Sequence, residues 1–134
     1  MRRLFILATL ALAACGSDST SPTSVNVVGT YQLKTVNGGG LPAVLQQTSA
    51  GKVEVLDDMV TLNADHTYSE TGHLRGTLSD GTVTTSPSTD VGTYSSTNGA
   101  VQFTSTAGAG TTNASVSGNT LTIIESGFTL VYSK

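Results

Sequence analysis

From residue 25 onward the chain alternates apolar and polar residues at period two, in short runs broken by glycine, asparagine or aspartate. That rhythm suits a pleated, half-buried strand and leaves no room for a helix, whose apolar stripe returns every three to four residues. Val27, Gly29, Tyr31 and Leu33 share one face of a first strand, opposite Gln32 and Lys34. The turn Asn37-Gly38-Gly39-Gly40 leads to a short segment from residue 41 to 48. Between 52 and 63 the apolar phase moves from odd positions (Val53, Val55) to even ones (Val60, Leu62), so a bulge or turn is expected at Asp57-Asp58. A strand over about 67–78 follows, then Ser79-Asp80-Gly81 and a weak strand over 82–85 closed by a loop around Pro87. Further strands are expected over 91–95, 101–104, 111–117, 120–125 and 128–133, joined by Asn98-Gly99, the glycine-rich stretch 107–110, Gly118-Asn119 and Ser126-Gly127. Turns this short join antiparallel neighbours, so the expected fold class is all-β with sequential strands side by side.

Composition agrees: 23 threonines favour pleated surfaces and 15 glycines favour turns. Aromatic residues past the N-terminal segment are few, Tyr31, Tyr68, Tyr94, Tyr132, Phe103 and Phe128, so the core is modest. Val28-Gly29-Thr30-Tyr31 recurs as Val91-Gly92-Thr93-Tyr94. The echo fits two pseudo-equivalent halves of a closed sheet, or a favoured glycine-bent strand start.

The first 14 residues have a different character. Met1-Arg2-Arg3 is followed by an apolar run from Leu4 to Leu12 and by Ala13-Ala14-Cys15-Gly16, the order of a secretory signal. The run is shorter than the roughly 20 apolar residues that cross a bilayer as a helix. Leu12-Ala13-Ala14-Cys15 resembles the lipobox of bacterial lipoproteins. That resemblance implies a signal-peptide helix over 1–14, cleavage before Cys15, diacylglycerol on its thiol and acylation of the new amino group. Two or three acyl chains hold a protein to a membrane where one does so only marginally. Residues 15–24 then form the lipidated cysteine and a polar linker, whose nine residues after Cys15 reach about 16 Å. Gly16 follows the cysteine where aspartate would resemble an inner-membrane retention signal, so the expected address is the outer membrane of the cell envelope. Cys15 is also the only cysteine, so the body of the protein has no disulfide, thiol catalysis or Cys-zinc site.

Residues 25–134 carry a second resemblance. Gly29-Thr30-Tyr31, the hairpin Leu62-Asn63-Ala64-Asp65-His66-Thr67-Tyr68, and Val116-Ser117-Gly118-Asn119-Thr120-Leu121-Thr122-Ile123 before Leu130-Val131-Tyr132 look like small bacterial lipocalin-like lipoproteins. The resemblance implies an antiparallel up-and-down barrel of about eight to ten strands, filled by side chains or holding one small apolar or amphipathic ligand. The inward residues expected to contribute are Tyr31, Leu33, Tyr94, Phe103 and Leu121. Lipocalins proper carry Gly-x-Trp in place of Gly29-Thr30-Tyr31, and a late helix with no counterpart here. The alternative is an envelope structural or interaction module, a filled barrel or β-sandwich that contacts other envelope components.

Other functions find little footing. After residue 14 only Lys34, Lys52, Arg75 and Lys134 are cationic, against nine acidic side chains, so nucleic acid is not an expected partner. His66 and His73, seven apart, point to opposite faces of one strand and lack a third ligand, so no metal and no cofactor are expected. Asp57 and Asp58 diverge on an extended chain and read as a solvated turn rather than a calcium corner. There is no Gly-x-Ser-x-Gly elbow and no phosphate-cradling Gly-x-x-x-x-Gly-Lys, so catalysis is not expected. Glu70, in phase with Tyr68, Gly72 and Leu74, is the one expected interior polar candidate; ionised there, it would need a partner.

Overall fold

The computed structural model describes residues 24–134, apart from residue 109. The expected signal helix, Cys15 and nearly all of the linker lie outside the described residues. Within them the chain forms nine strands and no helix: β1 (Gly29–Val36), β2 (Ala43–Thr48), β3 (Gly51–Leu62), β4 (Thr67–Leu78), β5 (Val83–Thr97), β6 (Ala100–Ser105), β7 (Thr111–Ser117), β8 (Thr120–Glu125) and β9 (Phe128–Ser133).

Strands β2 to β9 form one antiparallel meander, and β1 closes it by pairing with β9 on one side and β3 on the other. The result is a closed eight-stranded barrel with β2 as an extra strand, consistent with a lipocalin-like barrel. Closure works because β3 is long enough to serve two partners on the same edge. Its last residues, Met59 to Leu62, pair with β1, and its first, Gly51 to Val55, pair with β2.

The turns use the residues that their backbone demands. Asn98 and Gly99 both adopt positive φ between β5 and β6, as do Ser126 and Gly127 between β8 and β9. Paired positive φ values match the twist of a two-residue hairpin, and asparagine and glycine tolerate them best.

Period-two alternation then sends one face of every strand inward. The apolar phase change in β3 is a register shift against β4 between Val55 and Asp57, with Leu56 as the extra residue. The solvated turn expected at Asp57-Asp58 is corrected: both lie within β3, where the two side chains diverge, Asp57 outward to His73 and Asp58 inward to Tyr132.

A second correction concerns Pro87. The chain does not break into strands over 82–85 and 91–95 around a proline loop; β5 runs through as one strand of 15 residues, with Pro87 paired to His73. Proline is tolerated because this half of β5 has a neighbour on one side only: β6 pairs with it from Gly92 onward. Leu78 donates its N–H to Thr82 O, and alternation from Thr82 turns the imino nitrogen of Pro87 to the free edge. No ladder bond is lost, and the edge is blunted against foreign strands.

The barrel has unlike ends. At one end lie the hairpin 62–67, the turn 97–100 and the start of the described chain. Val27 is buried there and accepts a 2.7 Å hydrogen bond from the Tyr31 hydroxyl. Lys134 completes the closure, its ammonium 2.7 Å from Val28 O and 4.8 Å from the centre of the Tyr31 ring. Tyr31, Val60, Leu62, Leu121 and Tyr132 are each at most 1% exposed and form the most deeply buried part of the core. At the other end β2 and the outer halves of β3, β4 and β5 extend past the ring, and the interior opens.

Candidate functional site

The interior is layered along the barrel axis, and the tyrosines mark the layers. All four are buried, and every hydroxyl has a partner. At the closed end Tyr31 donates to Val27 O and Tyr94 to Asn63 O, both at 2.7 Å. Further up, Tyr132 donates to Asp58 Oδ2 at 2.7 Å and Tyr68 donates to Asp90 Oδ2. Backbone carbonyls thus satisfy one tyrosine layer and carboxylates the next, as buried hydroxyls require. The Tyr68 ring meets Phe103 edge-on, centres 4.8 Å apart.

Above Tyr132 and Asp58 is a cavity of about 280 Å³. Its walls are Leu33 from β1, Leu45 from β2, Val55 from β3, Leu74 from β4, and Phe128 and Leu130 from β9. Asp58, Glu70 and Tyr132 lie at its base, and Asp57, His73, Ser88, Glu125 and Ser126 ring its rim. A smaller chamber of about 60 Å³ lies beside it, lined by Tyr68, Asp90, Phe103 and Ser105, with Glu70 and Glu125 common to both. A wider groove of about 470 Å³ runs from exposed Gln32, Met59, Thr71 and Pro87 on the outer face to Leu33, Asp58 and Gly72, which it shares with the cavity. The cavity differs from it in being walled by buried and half-buried inward side chains.

The carboxyl groups of the base do not behave alike. Asp58 accepts from the Tyr132 hydroxyl and, at 2.9 Å, from the Met59 N–H, which partly offset the rise that its burial imposes. Asp90 accepts from Tyr68, from Ser105 Oγ at 2.6 Å and from the Val91 N–H at 2.9 Å. Despite the opposing cost of burial, these donors hold it below the usual carboxylate range. Among the described residues Glu70 receives no hydroxyl or N–H donor, and its hydrogen-bond partner is Asp58. Burial, then the charge of Asp58 beside it and the hydrogen bond between the two carboxyls, push it up to about 8, so at neutral pH the Asp58–Glu70 pair holds a proton. Burial, reinforced by the neighbouring carboxylates, raises Tyr68 and Tyr132 well above the ordinary tyrosine range, so both remain donors.

Of the residues singled out by sequence, Leu33 lines the larger cavity and Phe103 the smaller. Tyr31, Tyr94 and Leu121 pack in the core at the closed end and line neither. Glu70 points inward and borders both chambers. Sequence reasoning passed over Asp58, Asp90, Leu74, Phe128, Leu130 and Tyr132 as a constellation, although period two relates Asp58 to Val60 and Asp90 to Tyr94. Phase carried the signal; which turn of each strand reaches the open end did not follow from it.

Comparison of the chain with protein-family models, with curated proteins and with solved structures gives no match. Function therefore rests on the geometry. Among the described residues no three His, Cys, Asp or Glu side chains converge to hold a metal ion. The Asp57–His73 pair at the rim, 2.8 Å apart and exposed, has no serine or threonine hydroxyl of the described residues hydrogen-bonded to the ring.

Proposed function

We propose that the chain is an exported lipoprotein, held to the outer membrane of a cell envelope by lipid on Cys15, whose barrel binds a small apolar or amphipathic molecule without catalysing its conversion. The observation that carries the binding reading is the 280 Å³ cavity, apolar on its walls and polar only at base and rim. Ligand sites generally join a mostly apolar lining to a few placed polar groups, over about 300 to 1,000 Å³. This cavity lies just under that range, so its ligand is small. The tether is supported by the sequence: two arginines, a short apolar run, and small residues before the single cysteine. The non-catalytic reading draws on the Asp57–His73 pair, a base and its orienting acid to which neither Ser88 nor Ser126 of the same rim is hydrogen-bonded.

A solvatochromic test reads the cavity directly. Prodan, a small neutral dye, should bind residues 15–134 carrying Cys15→Ser saturably and with blue-shifted emission, and Leu74→Trp, which fills the cavity, should abolish this. Dye binding unaffected by that substitution overturns the binding reading. For the tether, the mass of the protein taken from native membranes should include acyl chains on Cys15. A Cys15→Ala chain that remains membrane-bound overturns it. The alternative, an envelope interaction module, draws support from the free edge of β5, but Pro87 opposes strand addition there.

A further inference from the structure

We propose that the molecule held in this cavity is an amphipathic amine, its ammonium group seated between Asp58 and Glu70 and its short apolar body against Leu33, Leu74, Phe128 and Leu130. The proposal rests on the cavity reading above and names the chemical class that fits it. Chambers and rim present carboxyl groups from four strands, Asp58 on β3, Glu70 on β4, Asp90 on β5 and Glu125 on β8. Among the described residues no lysine or arginine lines either chamber.

The cations of the barrel are committed elsewhere. Lys52 and Arg75 grip the shielded Glu54 at 3.0 and 2.9 Å. Lys34 bonds to Gln32 beside it, and Lys134 closes the opposite end. The cavity therefore sees one sign of charge, focused by apolar walls. A fatty-acid carboxylate would be repelled, and a neutral alcohol would leave that field unanswered.

An ammonium group supplies three N–H donors, and Glu70 is the carboxyl that lacks them: Asp90 has three, Asp58 has two besides its hydrogen bond with Glu70, and among the described residues Glu70 has none from any hydroxyl or N–H. Protons balance as follows. The amine enters as its ammonium ion, the neutral Glu70 carboxyl gives up its proton to solvent, and the new carboxylate accepts from the ammonium. No bond to carbon changes. Groups facing Glu70 are Asp58, Asp90 and Glu125, with the Tyr68 and Tyr132 hydroxyls; Asp57 and His73 lie at the rim. Binding should strengthen as pH rises toward 8, because less work is then needed to ionise Glu70.

Displacement of prodan from residues 15–134 (Cys15→Ser) by octylamine, octanol and octanoate separates the classes, since the three share one chain length. At pH 8.5 octylamine should act at about tenfold lower concentration than octanol or less, the worth of one charge-assisted hydrogen bond, with octanoate weakest. Glu70→Gln should remove most of that preference together with its rise between pH 6 and 8.5. Asp58→Asn should weaken octylamine and leave octanol unchanged. Equal displacement by amine and alcohol would overturn the amine assignment and leave the cavity reading standing. Failure of prodan and of all three compounds to bind would overturn both.

Discussion

Glu70 should make the barrel less stable as the solution becomes more alkaline, the reverse of what a salt-bridged carboxylate does. In the unfolded chain its carboxyl ionises near 4.5; in the barrel burial and the Asp58 charge hold the proton to about 8. The folded-state value is raised, so this contribution is complete below 4.5 and is withdrawn as pH climbs to about 8, after which it levels off. At about 1.4 kcal/mol per pH unit the ceiling is about 5 kcal/mol. The open cavity lets water reach the carboxyl, and relaxation of the Asp58–Glu70 pair lowers the cost further, so we expect about 2 kcal/mol. Urea denaturation followed by far-ultraviolet circular dichroism at pH 5 and pH 8.5 would read this. For an m-value of about 1.5 kcal/mol/M, the midpoint should fall by about 1 M or more at the higher pH. Glu70→Gln keeps the shape, cannot ionise, and should remove that fall, so the difference between the two proteins excludes His66 and His73 as its source. An equal fall in both proteins, or none in the parent, refutes the reasoning. The lowered carboxyls, Asp65, Asp80 and Asp90 among them, act oppositely: their contribution is present above the ordinary carboxylate range and is lost on acidification through their folded values.

Two further substitutions test the frame of the barrel. Leu121 is fully buried in the core, so Leu121→Ala should cost about 2 to 5 kcal/mol and lower Tm by about 10 °C or more; a change below about 3 °C would show that the closed end is not packed as described. A Cβ at Gly92 would collide with Thr104 O and the Tyr68 ring, so Gly92→Ala should destabilise by about 2 kcal/mol or more, an unchanged urea midpoint refuting the contact.

Much of the fold was legible because period two is a direct readout of which side chains turn inward. The phase change between Val55 and Val60 pointed to a real register shift, and Asn98-Gly99 and Ser126-Gly127 marked real hairpins. Pro87 misled because a missing N–H matters only where a neighbouring strand would use it, and the neighbour of β5 begins at Gly92. The repeated Val-Gly-Thr-Tyr has a shared local use. Gly29 and Gly92 stand where a side chain would strike a neighbour, and Tyr31 and Tyr94, two residues later, donate to backbone carbonyls of the closed end. The site was less legible. Glu70 could be placed inward by phase alone, but its pairing with Asp58 depends on the β3–β4 register, which sets Val60 opposite Glu70 and Asp58 opposite Gly72. That register follows from a bulge and cannot be counted from either strand separately.

The start of the described chain packs at the closed end, through Val27 and the Tyr31 hydroxyl, so a tether on Cys15 would grip the barrel by its base. On the proposed anchoring, the opening then faces away from the lipid surface, as a cup stands on a table. Cargo partitioned in that bilayer would have to leave it and come round to the rim, whereas cargo dissolved in the surrounding fluid would meet the rim first. Such a barrel is placed to sample the compartment rather than to draw from its own membrane.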